Sequence, residues 1–254
     1  MKGLLAYLMK YCGLLKNILD RFESILDGYT TIVEPTMKYP RHRELESSME
    51  VASSSCCEKM CKILYMLYRN INGRKICIFG PGSTSTIGCD LFAGPEGGLV
   101  NTLSAGVKML YVTSDADSSA KLLNSMYYGA LIKFYHVHGD NLFRIKQLIM
   151  LDDNIAFTTQ VETPYCFLPV GSFTDGDRAV AISMALGASR IEVRGFNFNE
   201  VLCHHKDACF YDKIIKLSLS RRILTFLSKK LGYGMAFEGS NIVFDAEESS
   251  NQNL

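Results

Sequence analysis

A chain of 254 residues, 48% hydrophobic and 21% charged, can build one sizeable α/β core and is too apolar for extended disorder. A net charge of +1 excludes a protein built mainly to grip nucleic acid, though it leaves room for a local anion site. The nine cysteines are scattered, lysines interrupt the first apolar residues and no uncharged run has bilayer length, so the expectation is a cytoplasmic chain with reduced thiols, no leader and no membrane span.

Leu4, Leu8, Tyr11, Leu15, Ile18, Phe22 and Ile25 recur at steps of three and four. That spacing predicts an amphipathic helix over 3–27, with Gly28 as its stop. Its stripe reads as core or as a docking face. A coiled-coil dimer is disfavoured, because the pattern lasts only about three heptads. Residues 34–55 hold Pro35, Pro40, a charged patch (Arg41, His42, Arg43, Glu44, Glu46) and a run of serines, and read as a linker or surface loop. A second helix is expected over 57–70, ending near Asn72-Gly73.

From Lys75 the rhythm changes. Strands are expected at Lys75–Phe79, Met109–Thr113, Leu131–Tyr135, Ile155–Thr159 and Arg190–Arg194, and helices over 118–128, 141–151, 175–186 and 208–230. Such alternation predicts a three-layer, Rossmann-like α/β fold with a mostly parallel sheet. Residues 232–245 read as a hairpin or edge strand. The domain reading is a helical N-terminal extension over 1–73, an α/β catalytic domain over 74–246 and a frayed tail over 247–254.

The chemistry collects after the strands, where open parallel sheets bind ligands. Gly80-Pro81-Gly82-Ser83 follows the first and reads either as a phosphate cradle or as a turn with incidental glycines. It is not a P-loop, since no Gly-Lys-Ser/Thr follows. Ser114-Asp115-Ala116-Asp117-Ser118 follows the second strand, and its two carboxylates can turn toward one ion; the alternative is a helix cap with Asp115 solvated. His136-Val137-His138-Gly139-Asp140-Asn141 follows the third. A zinc reading of its His-x-His pair lacks a third ligand of matching spacing. Thr158-Thr159-Gln160 follows the fourth, with side chains able to hydrogen-bond a ligand, and Gly195-Phe196-Asn197-Phe198-Asn199 follows the fifth.

Gly171-Ser172-Phe173-Thr174-Asp175-Gly176-Asp177-Arg178 opens the helix over 175–186. Its carboxylates suit either an ordinary N-cap or a hard cation. Cys203-His204-His205-Lys206 with Cys209, and Cys56, Cys57 and Cys61, read as apolar or basic helix positions, not as zinc sites; Lys206 stays in reach of a phosphate. Asp115, Asp117, Asp140, Asp175 and Asp177 thus all fall beyond strand ends, on one rim. Carboxylates converging there repel one another unless a cation neutralises them. Mg²⁺ shares such carboxylates with nucleotide phosphates, which points to phosphoryl or diphosphoryl transfer.

In their order, Asp115-Ala116-Asp117, the His136–Asn141 segment, Thr158–Gln160, Gly171–Arg178, Gly187-Ala188 and Gly195–Phe198 resemble the archaeal 6-hydroxymethyl-7,8-dihydropterin pyrophosphokinases over about residues 75–230. That family is similar in fold to the thiamin pyrophosphokinase catalytic domain. The resemblance implies transfer of diphosphate from ATP to the hydroxymethyl group of a reduced pterin, release of AMP, a need for Mg²⁺ and a place in folate-type or methanopterin-type cofactor synthesis. It implies Asp115, Asp117, Asp140 and Asp177 as metal-linked carboxylates, with Asp140, Asp175 and Arg178 as catalytic groups. Gly80, Gly82, Ser83, His138, Asn141, Thr159, Gln160, Thr174 and Lys206 would contact ATP or the pterin. ATP and a reduced pterin are the implied partners, with no nucleic acid and no membrane, and a homodimer stays open. The family usually has Asp-Leu-Asp-Gly where this chain has Asp115-Ala116-Asp117-Ser118, and an acid where this chain has Asn197. The rival readings are a nucleotide-sugar-dependent glycosyltransferase, a thiamin-type pyrophosphokinase and a non-catalytic nucleotide-binding module docked through the first helix.

Overall fold

The structure, a computed structural model, describes residues 16–37, 41–54, 57–83, 85–150, 154–163, 165–196, 210–238 and 241–247. The first amphipathic stripe builds α1, Lys16–Ile32; Leu4, Leu8, Tyr11 and Leu15 lie outside the described residues. Gly28 does not stop this helix. A Cβ there would sit 3.0 Å from the ring of Phe226, so the glycine serves close packing against the C-terminal helix.

Within 34–55 the described residues are helical, not the expected loop. They fold as α2 (Glu34–Met37), α3 (Arg41–Val51) and a 3-10 turn (Ala52–Ser54). The helical period was hidden because the inward positions of α3 are mostly polar: Glu44, Ser47, Ser48 and Val51 are the buried ones. Helix α4, Cys57–Ile71, follows as the apolar spacing predicts.

Strand β1 (Lys75–Phe79) opens the sheet. Next come β2 (Phe92–Pro95) and α5 (Glu96–Ser104), neither of which the glycine-rich sequence suggested. Then follow β3 (Met109–Ser114), α6 (Ala120–Gly129), β4 (Ala130–His136), α7 (Leu142–Ile149), β5 (Ile155–Thr159) and a short β6 (Leu168–Pro169). Helix α8 (Asp175–Ala185) leads to β7 (Arg190–Arg194), and α9 (Phe210–Leu231) to the hairpin of β8 (Tyr233–Glu238) and β9 (Asn241–Ala246).

The nine strands lie in the order β6-β5-β4-β3-β2-β1-β7-β9-β8. All pairings from β6 through β7 are parallel, and the final hairpin adds antiparallel to β7. Side chains alternate between the two faces of β1, as a strand's period of two demands. Ile76 and Ile78 join an apolar cluster with α1, α4, α8 and α9; Cys77 and Phe79 join one with α5, α6 and α7. Helices therefore cover both faces. Phe22 and Ile25 of α1 and Leu64 of α4 are buried in the first cluster, so these helices pack directly with the sheet's own layer.

The thiols are not all free. Cys57 pairs with Cys166, and Cys77 with Cys89. The first pair spans 109 residues, so no local spacing could announce it. No described helix is long and apolar enough to cross a membrane. The chain lays β1 to β6 outward in turn, then returns through α8 to β7 on the other side of β1. Every parallel strand accordingly ends on one rim.

Candidate active site

Glycine places the first carboxylate. At Gly94 a Cβ would stand 2.5 Å from the carbonyl oxygen of Phe79, and at Gly98 it would be closer still. Only residues without a Cβ let the start of α5 press on the end of β1. Glu96 begins that helix directly after β2 and is buried. The loop after β3 then folds over it. The Ser114 and Ser118 hydroxyls both donate to the Glu96 carboxylate, and Ser114 Oγ accepts from the Ala116 N–H at 2.9 Å. Ala116 carries φ 60°, a left-handed conformation that costs an L-residue about 1–2 kcal/mol. The conformation is held from outside: Arg144 Nη1 donates to the carbonyls of Ala116 (3.1 Å) and Ser118 (2.9 Å), and Asn141 Nδ2 donates to that of Asp115 (2.7 Å). Carboxylate oxygens of Glu96, Asp115 and Asp117 thereby all lie within 4.8 Å of one another.

The start of α8 supplies a fourth acid. Thr113 Oγ1 donates to the Asp175 carbonyl at 2.7 Å, and Tyr111 donates to the Ala179 carbonyl at 2.6 Å, tying α8 to β3. Asp175 pairs with Arg178 at 2.5 Å. Asp177 plays a different part. Its oxygens accept from the N–H groups of Thr174 (2.6 Å) and Phe173 (3.2 Å) and from the Thr174 hydroxyl (3.0 Å), while its own N–H donates to Thr174 Oγ1. That is a capping box. The structure uses Thr174 and Asp177 to start the helix and leaves both out of the gathered carboxylates.

The electrostatics of the cluster follow from its crowding. Burial pushes Glu96 up to about 7, and the charges of Asp115 and Asp117 push the same way against the two serine hydrogen bonds. Burial also raises Asp175 well above the usual carboxylate range; Asp115, Glu96 and Asp117 add to that, and Arg178 opposes it. Glu192 shows the contrasting case. There burial is outweighed by Lys75, Arg194 and Arg190, which hold its carboxyl down to about 2. At the rim cluster the cation that opposes the shift of Asp175 is Arg178. The all-oxygen donors and crowded like charge of the cluster fit a hard divalent ion such as Mg²⁺.

The remaining candidates are divided. The N–H groups of Gly80, Gly82 and Ser83 donate to the carbonyls of Arg194 (2.8 Å), Gly195 (3.2 Å) and Gly80 (3.1 Å), and Ser83 Oγ donates to Arg194 O. These bonds seal β1 onto β7 and occupy the three amides. His138 Nδ1 contacts the largely exposed Asp140 carboxylate, an ion pair only when the ring is protonated. Asn141 is buried; it bridges the loops after β3 and β4 by accepting from the His138 N–H and donating to the carbonyls of Asp115 and His136. Thr159 accepts from the Val161 N–H, and Gln160 donates to the Ser172 carbonyl. Lys206, with Asn197–Asn199, His204 and His205, lies outside the described residues.

Beneath the rim, Arg178 is buried, and its Nε has no hydrogen-bond partner among the described residues. Glu44 reaches in from α3: Oε2 accepts from the Gln160 N–H at 3.3 Å, and Oε1 lies 3.8 Å from His136 Nε2. Burial raises Glu44 to about 7 and holds His136 well below its usual value. Sequence reasoning missed Glu96, Arg144 and Glu44. The signal for Glu96 was present, since Phe92-Ala93-Gly94-Pro95 is a short apolar run followed by an acid and two glycines, the same strand-end grammar as the other sites.

No family model matches the chain. Two curated archaeal proteins do. Over 95 residues the chain is 37% identical to the 6-hydroxymethyl-7,8-dihydropterin pyrophosphokinase of Methanothermobacter thermautotrophicus, covering 37% of this chain and 40% of that protein. Over 141 residues it is 28% identical to the protein of the same name from Pyrococcus furiosus, covering 52% of this chain and 59% of that one. The chain thus spans about half the length of the curated relatives it matches.

Proposed function

We propose that this chain, a relative of the archaeal 6-hydroxymethyl-7,8-dihydropterin pyrophosphokinases, transfers diphosphate from ATP to the hydroxymethyl group of a reduced pterin and releases AMP. The observation that carries this reading is the convergence of Glu96, Asp115 and Asp117 at the rim, with Asp175 beside them. These residues would hold the divalent ion. When bound, the ion supplies charge neutralisation for the polyphosphate.

The chain's own groups would do the rest. Arg178, fixed by Asp175 and with its Nε unsatisfied, offers positive charge beside the carboxylates. Arg144 and Asn141 hold the Asp115–Ser118 loop in place, so the acids are set before substrate arrives. The hydroxyl of the acceptor attacks the β-phosphorus of ATP, and the bond from that phosphorus to the oxygen bridging it to the α-phosphorus breaks. The oxygen leaves with AMP. His138, in its neutral form and oriented by Asp140 through Nδ1, would take the hydroxyl proton.

The test is direct. The protein is incubated with Mg-ATP and a panel of reduced pterins and thiamin, and products are read by mass spectrometry. AMP and 6-hydroxymethyl-7,8-dihydropterin diphosphate are expected. Absence of AMP with every pterin overturns the reading.

A further inference from the structure

A second feature lies on the same rim. A cleft of about 430 Å³ opens between α1, α3 and the segment after β5. Its volume falls in the range of small-molecule sites. Leu26 and Val161 are buried in its wall with Leu45 exposed beside them, an apolar strip in a lining that Thr30, Arg41, His42 and Gln160 otherwise make polar. Asp27 and Glu162 line the same cleft, and neither forms an ion pair or a hydrogen bond among the described residues.

Its place relative to the carboxylate cluster follows from the sheet order. Asp115 directly follows β3, and Gln160 directly follows β5, with β4 between. Two strand spacings separate them, roughly 10 Å. A flat bicyclic ring seated in the cleft could therefore extend a one-carbon substituent toward phosphates held at the cluster. The floor on that side is fixed, because Gln160 is pinned through its N–H to Glu44 and through its side chain to the Ser172 carbonyl.

Arg41 also lines the cleft but is tied to Glu34, so Asp27 and Glu162 are the lining charges left without an ion pair among the described residues, and they select the kind of ring. A carboxylate pairs best with two parallel N–H donors, the pattern of a guanidine-like edge. The amino-pyrimidinone edge of a pterin presents that pattern. Adenine instead presents a ring acceptor beside its amine, which a carboxylate repels.

We infer that the cleft between α1, α3 and the end of β5 is the acceptor subsite, where Asp27 or Glu162 takes the N–H edge of the reduced pterin between the apolar walls of Leu26, Leu45 and Val161. This rests on the proposed diphosphotransferase reading and adds a location and a recognition rule to it. It also assigns α3, a segment with the composition of a linker, a share in choosing the substrate.

Leu45→Arg and Glu162→Ala test the assignment, since both residues are exposed and neither is among the gathered acids. Steady-state kinetics are measured with Mg-ATP and the reduced pterin, alongside fluorescence titration with 6-hydroxymethylpterin and a thermal melt. The expected result is a pterin KM raised at least ~10-fold, by steric block in one variant and loss of a charged hydrogen bond in the other, with ATP KM and melting temperature unchanged. Unchanged pterin KM in both variants, or a rise in ATP KM instead, overturns the subsite while leaving the activity intact. A wild-type protein that makes no AMP with any pterin overturns the activity itself, and the subsite with it.

Discussion

The hydroxyl of Ser118 donates to the carboxylate of Glu96, 22 residues earlier in the chain. The contact joins the loop after β3 to the start of α5 and draws Glu96 toward Asp115 and Asp117. The family resemblance sets a glycine against Ser118. Here the left-handed backbone falls instead at Ala116, stabilised by Arg144 and Ser114, and position 118 is free to carry a hydroxyl.

Glu96→Gln should therefore weaken divalent-ion binding and lower turnover by ~100-fold, the usual scale for losing one electrostatic catalytic group. Ser118→Ala removes a tether and leaves the charge, so its loss should be markedly smaller. Turnover against Mg²⁺ concentration in both variants checks the ranking. Equal losses would mean that Glu96 acts only through its hydrogen bonds.

Asp117 and Asp177 occupy equivalent-looking places around one-residue spacers, yet the structure separates them. Asp117 is exposed beside Glu96, whereas Asp177 is buried in the capping box. Asp117→Asn should reduce turnover and divalent affinity with little change in melting temperature. Asp177→Asn should cost about 1 kcal/mol of stability, as loss of a cap does. Thermal melts paired with initial rates separate the two, and a stable but inactive Asp177→Asn protein would return that residue to the cation site.

The raised acids give a pH dependence with a definite sign. In the folded chain Glu96 titrates at about 7 against an ordinary 4.5, so the folded state holds the proton more tightly than the unfolded chain. Its contribution to stability is most favourable below 4.5 and is lost as pH rises to about 7. Asp175 shifts in the same direction. A divalent ion removes the cause of the loss. The melting temperature gained on adding Mg²⁺ should be small near the lower of these values and grow toward neutral pH. A Mg²⁺ effect independent of pH would contradict the cluster as its source.

The legible parts of the fold were those where one face decides. β1 and β5 are short, mostly apolar runs and β7 alternates charged with β-branched residues, and the ends of all three were readable to the residue. The illegible parts were those where a polar or flexible sequence is held by distant contacts. β2 contains Gly94 and Pro95, which argue against a strand until Phe79 is seen to need the space. α3 buries Glu44 and serines, so its inward face does not look apolar. The Thr-x-x-Asp pattern at 174–177 fits both a cap and a cation ligand, and only the direction of the Asp177 oxygens distinguishes them. Asp115 and Asp117 were legible as a pair, but their partner Glu96 was hidden in a stretch that reads as a turn.

Glu44 offers a last test, independent of the cation. Burial raises it to about 7, with the Gln160 N–H and the charges of Arg178 and Arg41 opposing the shift. Its ionisation therefore destabilises the folded state as pH climbs from 4.5 to about 7. Glu44→Gln keeps an oxygen able to accept from the Gln160 N–H and abolishes the ionisation. The variant should match the wild type in acid and melt at a higher temperature in mildly alkaline solution, with or without Mg²⁺. A variant that melts lower at every pH would show instead that the charge of Glu44 is needed beside Arg178, whose buried guanidinium would then lose one of the acids, with Asp175 and Asp177, that offset it.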